Sequence, residues 1–168
     1  MRGTKNIKVY IQLAALIIIS VVSSCSPSTI KQVEPLGEPT NILSQQESVK
    51  ACLIEMWDAI EKEDIERYAS YIHPDFTQFG ETDPTLAIGK QAEVNGVKDW
   101  LKNSSNIHTE MEEPRVTIKG EVAWITYYWK DHGMTRGEPF TSRGKSTRIF
   151  VKEQEKWLCI HGHYTLLP

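Results

Sequence analysis

Apolar residues recur at helical spacing between residues 44 and 63. They follow one another at intervals of three, one, three, one and three residues: Val49, Cys52, Leu53, Met56, Trp57 and Ile60. This spacing predicts an amphipathic helix with one face towards a core. Ser44, followed three residues later by Glu47, predicts a capping box at the start of that helix.

Two shorter helices and a short strand are predicted next. Residues 64–72 repeat the helical spacing between Asp64, a favourable N-cap, and Pro74, which ends the helix. Residues 76–79 alternate as a strand, and residues 90–101 form a third helix.

From residue 115 onwards the period changes to two. Strands are predicted at residues 115–119, 121–130, 142–152 and 156–166. Gly133, Gly137 and Pro139 predict a long loop between residues 130 and 142, which we expect to overhang a pocket or reach a partner. Helices followed by long antiparallel strands indicate an α+β fold, with the helices packed on one face of a sheet.

The first 24 residues are typical of a secretion signal. Arg2, Lys5 and Lys8 precede an apolar stretch, residues 9–22, that is shorter than the roughly 20 residues of a membrane-spanning helix. Two serines then precede Cys25, a pattern that resembles a bacterial lipobox. We therefore predict cleavage before Cys25, with lipid chains of the palmitate type on its thiol and new amine. Two or three such chains give stable membrane anchoring. An uncleaved N-terminal anchor and an ordinary secretory signal are the alternatives.

The predicted mature chain consists of a lipidated linker, residues 25–43, and one domain, residues 44–168. The linker is polar and contains three prolines. Without the signal the chain keeps 16 basic and 22 acidic residues, a net charge near −6, which argues against nucleic acid as a partner. Ser26 resembles the outer-membrane default of Gram-negative lipoprotein sorting. The predicted location is therefore the cell envelope, on the periplasmic side of the outer membrane if the host is Gram-negative.

Cys52 and Cys159 remain once Cys25 is assigned to the lipid. A disulfide is chemically allowed outside the cytoplasm, but each cysteine has apolar sequence neighbours. Two buried free cysteines are the favoured interpretation.

Four motifs in order resemble the nuclear transport factor 2-like superfamily, in its SnoaL-like and ketosteroid-isomerase-like branch. They are Ile60 to Tyr68, His73 to Thr77, Glu113 to Tyr127 and Thr147 to Thr165. The last of these also resembles the end of the association domain of calcium/calmodulin-dependent protein kinase II. The resemblance implies a cone-shaped curved antiparallel sheet packed against about three N-terminal helices, with a pocket and a homodimeric assembly.

The same resemblance implies which residues bind a ligand. Arg148 and Tyr68 match pocket residues of the association domain, and Tyr164 replaces an arginine there. An arginine among core-forming residues needs a carboxylate partner, either on a ligand or inside the protein, where Glu93 and Asp58 are the internal alternatives. The ligand-binding candidates are Arg148, Tyr68, Trp57 and Tyr164.

Ketosteroid-isomerase chemistry is disfavoured by the matching positions. The resemblance aligns its catalytic carboxylate near Gly80, with Glu81 adjacent, and its oxyanion-donating tyrosine near Met56. Glycine offers no titratable side chain, so Glu81 is only a weak catalytic candidate.

His161 and His163 are the other weak catalytic candidates. Strict alternation predicts one row containing Trp157, Cys159 and both histidines, opposite a row of Leu158, Ile160 and Tyr164. A structural role for the histidines is favoured over acid–base catalysis or zinc binding, because zinc needs further ligands. We predict no metal and no cofactor.

Three functions remain open at this stage. The preferred hypothesis is a membrane-anchored lipoprotein whose domain binds a small, partly apolar molecule. The alternatives are a SnoaL-like enzyme of the proton-transfer isomerase, cyclase or dehydratase type, and a non-catalytic oligomerisation module. Fold alone does not decide among them.

Overall fold

The computed structural model describes residues 39–81 and 84–168. The predicted signal peptide, the lipidation site at Cys25 and the linker up to residue 38 lie outside these residues and stay predictions. The helices and strands follow in the order α1 (Pro39–Glu61), α2 (Ile65–Ser70), β1 (Ile72–Phe79), β2 (Ala87–Ile88), α3 (Lys90–Leu101), β3 (Ser104–Lys119), β4 (Val122–Thr135), β5 (Glu138–Glu153) and β6 (Lys156–Leu166).

Six strands form one curved, unclosed sheet in the order β2-β1-β6-β5-β4-β3. All neighbours are antiparallel except β1 and β6, which run parallel. The helices pack on the inner face of this sheet, as the α+β prediction requires.

The core lies where α1 meets the middle of the sheet. Leu53 and Met56 of α1 are buried against a fully buried sheet row that includes Ile125 and Phe150. Burial of each such side chain stabilises the fold by about 1.5–3 kcal/mol. These are the positions that the helical spacing and the strand alternation predict to be apolar.

Helix α1 begins five residues earlier than predicted. Its first residue is Pro39, and proline is tolerated at a first helical position because the N–H it lacks would have no partner there. Ser44 is therefore inside the helix rather than at its cap, and its carbonyl accepts a hydrogen bond from Ser48 Oγ at 2.9 Å. The cap predicted for α2 is confirmed, because Asp64 accepts from the Arg67 N–H at 3.0 Å.

The predicted loop between residues 130 and 142 is wrong. Strands β4 and β5 continue through this region and join at a two-residue turn, Arg136 and Gly137, with φ of 51° and 84°. Positive φ at both positions is typical of the tight hairpin turn whose twist matches paired strands. Gly133 and Pro139 are therefore strand residues and not loop signals.

Strand β3 begins at Ser104, eleven residues before the prediction. Its pairing with β4 shifts register twice, next to Asn106 and Glu113, which have φ of 50° and 51°. Each bulge resets the alternation of side chains. Because of these two bulges, the sequence of the first part of β3 does not alternate regularly between apolar and polar residues, and it was not predicted as a strand.

A further bulge changes the faces of β6. Phe150 pairs with Cys159, whereas the adjacent Ile149 pairs with His161, so Ile160 is an extra residue. Beyond Ile160 the alternation is reversed. The predicted single row of Trp157, Cys159, His161 and His163 is therefore wrong.

Among the described residues no helix has the length and apolar character to cross a membrane.

Candidate functional site

A cavity of about 770 Å³ lies between the helices and the inner face of the sheet. Helices α1 and α3 form one wall, and strands β4, β5 and β6 form the other. Aromatic side chains supply much of the lining: Trp57, Trp100, Tyr127, Trp129, Phe140 and Tyr164. Concave, largely apolar cavities of this size are typical of small-molecule sites.

Arg148 projects from the middle of β5 into this cavity. Its Nη1 donates to Gln78 Oε1 at 2.9 Å, whereas its Nε is buried with no hydrogen-bond partner among the described residues. Burial alone lowers the pKa of Arg148, but the acidic groups of Tyr127, Cys159 and Tyr68 outweigh this effect and raise the pKa above its usual value. The cavity therefore holds a permanent positive charge with spare donor capacity.

Neither internal acid proposed for Arg148 forms an ion pair with it. Asp58 pairs with Lys62 and with Arg67 on the helical side of the molecule. Glu93 accepts a hydrogen bond from Tyr68 instead, at 2.6 Å. Neither residue lies within 4.0 Å of the Arg148 guanidinium as an ion-pair partner, although the charge of Glu93 helps to raise the pKa of Arg148.

Gly162 makes room for the guanidinium group. A Cβ at this position of β6 would lie 2.3 Å from Arg148 Nη1 and 2.8 Å from Gln78 Oε1. No side chain fits there without displacing Arg148. The glycine, Arg148 and Gln78 therefore form one packed unit on three adjacent strands.

Tyr68 lies behind the cavity wall rather than in it. It is fully buried at the end of α2, and its hydroxyl donates to Glu93, a buried residue of α3 that does line the cavity. Burial, followed by the charge of Glu93, raises the pKa of Tyr68 well above its usual value. The hydroxyl stays protonated and holds Glu93 in place.

Trp57, Tyr164 and Glu81 line the cavity together with Arg148. Trp57 makes an edge contact with Tyr127, with ring centroids 5.5 Å apart. Burial raises the pKa of Tyr164, which keeps that hydroxyl protonated and able to donate a hydrogen bond. The sequence-predicted candidates that share the cavity are thus Arg148, Trp57, Tyr164 and Glu81, and their binding roles stay predictions.

His161 and His163 lie on the opposite, outer face of the sheet. His161 Nδ1 is 2.8 Å from Thr77 Oγ1, and both histidine rings contact the ring of Phe79 edge-on. Burial lowers the pKa of His161. The two histidines lie on the outer face because the bulge at Ile160 directs Gly162 and Tyr164 inward instead. Neither histidine can act on a molecule in the cavity.

Asp131 is a cavity residue that the sequence analysis missed. It projects inward from β4 two residues after Trp129, and Ser142 of β5 donates a hydrogen bond to its carboxylate. Burial raises the pKa of Asp131, although the bond from Ser142 opposes this shift. The alternation Tyr127, Trp129, Asp131 could have revealed it, but the predicted strand stopped at residue 130.

A family profile for the SnoaL-like domain matches residues 49–167. The chain belongs to the SnoaL-like domain family. This confirms the family inferred from the sequence motifs, over almost the whole described region.

Similar proteins agree with the fold of this SnoaL-like domain. The calcium/calmodulin-dependent protein kinase type II of Caenorhabditis elegans is 27% identical over 150 residues, which are 88% of this chain but only 20% of that protein. The chain thus spans about a fifth of the length of this relative.

Two solved structures share the same architecture. A putative dehydratase of the nuclear transport factor 2-like family from Streptomyces avermitilis superposes with a TM-score of 0.69 at 15% identity, covering 74% of this chain and 97% of that one. The association domain of the Caenorhabditis elegans kinase gives a TM-score of 0.62 at 24% identity, covering 74% and 98%. At these identities the similarity shows the fold alone.

Burial limits the reactivity of the two cysteine thiols of the SnoaL-like domain. Cys52 and Cys159 are free and buried, and burial raises the pKa of their thiols to about 12 and about 11. Met56, which takes the isomerase tyrosine position in the resemblance, is in the core. Within residues 39–81 and 84–168, no three His, Cys, Asp or Glu side chains are grouped to hold a metal ion.

Proposed function

We propose that the chain is an exported, lipid-anchored protein whose SnoaL-like domain binds a small, partly apolar molecule carrying an anionic group. The observation that carries this proposal is Arg148. It is a charged side chain in an aromatic cavity of about 770 Å³, with a buried Nε that no described residue satisfies.

An unpaired buried donor on a charged group is costly. Leaving such a group without a partner costs about 1–3 kcal/mol or more, whereas a carboxylate or phosphate can bind a guanidinium through two parallel hydrogen bonds. A bound anion would satisfy this donor capacity. The aromatic lining would meanwhile cover the apolar part of the ligand.

The test is native mass spectrometry of the mature protein, extracted from membranes in mild detergent. We expect a non-covalent ligand on the wild type that is lost in Arg148→Met. Arg143→Met is the matched control, because Arg143 lies on the same strand but is exposed near Glu112 rather than in the cavity. Wild-type protein that is consistently empty, or Arg148→Met that keeps the ligand, would contradict the proposal.

Membrane anchoring rests on the sequence of the N-terminus. The basic n-region, the short apolar stretch and Cys25 support lipid attachment, and Ser26 supports the outer membrane in a Gram-negative host. Metabolic labelling with a palmitate analogue should label the wild type and Cys52→Ala but not Cys25→Ala. Equal labelling of all three would refute the anchor.

A proton-transfer enzyme is the second candidate, and Asp131 is the observation that favours it. A carboxyl group with a raised pKa, directed into a cavity, is a common general base or acid. If the domain is an enzyme, the co-purified ligand should be released chemically changed by the wild type and unchanged by Asp131→Asn.

We further propose that the domain assembles with copies of itself. One of the similar solved structures is an association domain, and the outer sheet face of this chain exposes apolar side chains, including Tyr128. Light scattering during size-exclusion chromatography should give a multiple of the chain mass. A monomer at micromolar concentration would contradict this.

A further inference from the structure

A row of inward-facing positions on β5 connects Arg148 with the Asp131 carboxylate. Ser142, Gly144, Ser146 and Arg148 alternate towards the cavity side, and Ser142 pairs directly with Asp131. Arg148 comes six positions after Ser142, so the two backbone positions are about 20 Å apart along the strand. The cavity therefore has polar groups of opposite charge towards two ends of one wall.

The carboxylate of Asp131 has capacity for another partner. An ionised carboxylate offers about four acceptor positions, and Ser142 Oγ is the side-chain donor that reaches it. Within the part of the chain that the structure describes, no Lys, Arg or His nitrogen lies within 4.0 Å of this carboxylate. Asp131 is also only partly buried, so a ligand can reach it.

The wall between these two ends is apolar apart from Ser146, whose hydroxyl donates to the His163 carbonyl. The indole of Trp129 lies against Gly144, where a Cβ would be 2.2 Å from Trp129 Cζ2, and Tyr164 contacts the same indole edge-on at 6.4 Å. This surface can cover a hydrocarbon segment but offers it few polar partners.

We propose that Asp131 and Ser142 form a second polar subsite, which receives an amine or other cationic group of the ligand. The ligand class is then an elongated amphiphile, with an anionic head at Arg148, an apolar middle on Trp129 and a cationic end at Asp131. This inference rests on the proposed ligand-binding function and names the ligand class of that same cavity.

The experiment compares two probes by isothermal titration calorimetry with the mature protein. Dodecanoate carries the anionic head and the chain, and ω-aminododecanoate adds the terminal amine. A charge-assisted hydrogen bond contributes about 1.5–3 kcal/mol, so we expect the amine to tighten binding to the wild type by roughly 10-fold to 100-fold.

Three variants test whether Asp131 and Ser142 cause the tighter binding of ω-aminododecanoate. Asp131→Asn keeps the shape and the Ser142 partner but removes the charge, and it should bind both probes with the affinity of dodecanoate. Ser142→Ala should lose part of the advantage. Asp75→Asn, an exposed carboxylate on β1 that does not line the cavity, should keep all of it. Circular dichroism confirms that each variant is folded.

The outcomes separate the two proposals. If dodecanoate binds in an Arg148-dependent way and the amine gives no advantage, the second subsite is refuted and the proposed function stands. An advantage that persists in Asp131→Asn also refutes it. If neither probe binds the wild type, the proposed function fails together with this inference.

Discussion

Substitution of Gly162 by alanine tests the geometry around Arg148 directly. The new Cβ would lie 2.3 Å from Arg148 Nη1 and 2.9 Å from Cζ. Ordinary contact between non-bonded atoms requires about 3.5 Å, so the guanidinium must retreat by about 1.2 Å. The alanine methyl would also approach Gln78 Oε1 to 2.8 Å, so the bond between Arg148 and Gln78 cannot keep its present geometry.

The expected loss of stability is modest, because the clash falls on the far end of a flexible side chain. Loss of a hydrogen bond to a charged group costs about 1.5–3 kcal/mol, and replacement of glycine by alanine returns about 0.4–1 kcal/mol through the unfolded state. The free energy of unfolding should fall by about 1–2 kcal/mol. For a domain of this size that lowers Tm by about 3–8 °C.

Gly144→Ala provides the comparison. There the Cβ would meet Trp129 Cζ2 at 2.2 Å and the backbone oxygen of Thr165 at 2.7 Å. Neither an indole nor a strand backbone can retreat easily, so we expect a loss of about 2–3 kcal/mol, near the upper end for overpacking. Gly144→Ala should therefore be the less stable of the two proteins.

The assay combines urea unfolding with native mass spectrometry. Gly162→Ala should unfold cooperatively at slightly lower urea and should lose bound ligand as fully as Arg148→Met. A Gly162→Ala protein with wild-type stability and wild-type ligand occupancy would refute the placement of the guanidinium against Gly162. Equal destabilisation by both glycine variants would refute the distinction between flexible and rigid neighbours.

Three further predictions follow from buried groups. Tyr68→Phe removes the donor to Glu93 and should lower the free energy of unfolding by about 2–3 kcal/mol, whereas the control Tyr71→Phe should change it by less than about 0.5 kcal/mol in the same urea titration. Because burial raises the pKa of the Cys52 and Cys159 thiols to about 12 and about 11, iodoacetamide near neutral pH should label neither in the folded protein and both in urea; rapid labelling of the folded protein would contradict their burial. Because the pKa values of both thiols are higher in the folded state than the usual value of 9.0, their contribution to stability is complete below pH 9 and is lost as pH rises through about 11 to 12. The urea midpoint of the wild type should therefore fall with pH above pH 9. The fall should be steeper than that of the Cys52→Ala, Cys159→Ala double variant.

The sequence predicts elements well where one period runs without interruption. The apolar face of α1, including Leu53 and Met56, is buried as the helical spacing requires, and the fold class follows from the order of helices and strands. The first part of α1, from Pro39 to Leu43, was missed because residues 26–43, which contain three prolines, were interpreted as a linker, although Ile42 and Leu43 are apolar. Helix ends are set by local backbone partners that a periodicity does not record.

Strict alternation fails at the bulges of β3 and β6. Each inserted residue, as at Asn106, Glu113 and Ile160, shifts the side chains that follow to the other face. For this reason the first part of β3 was missed. The same effect placed His161 and His163 on the wrong side of the sheet.

Only some residues of the candidate site could be predicted from the sequence. Arg148 was found because a charged residue stood in an apolar strand, and Trp57 because it lay on the buried face of a helix. Asp131 was missed because Gly133 and Pro139 were interpreted as loop signals, which ended the strand at residue 130. Whether Tyr68 lines the cavity or lies behind it depends on packing between α2 and α3, which no spacing encodes.

The bulge at Ile160 also defines how this cavity could change in evolution. Substitutions that remove the bulge without deleting a residue would shift the register of β6 beyond Ile160 by one, directing His161 and His163 inward and Gly162 and Tyr164 outward. Such a shift would exchange the cavity's tyrosine and the space for its arginine for a pair of imidazoles, with no substitution at any of these four positions. A scaffold with such a switch in its last strand has a short mutational path to a cavity lined by two titratable side chains.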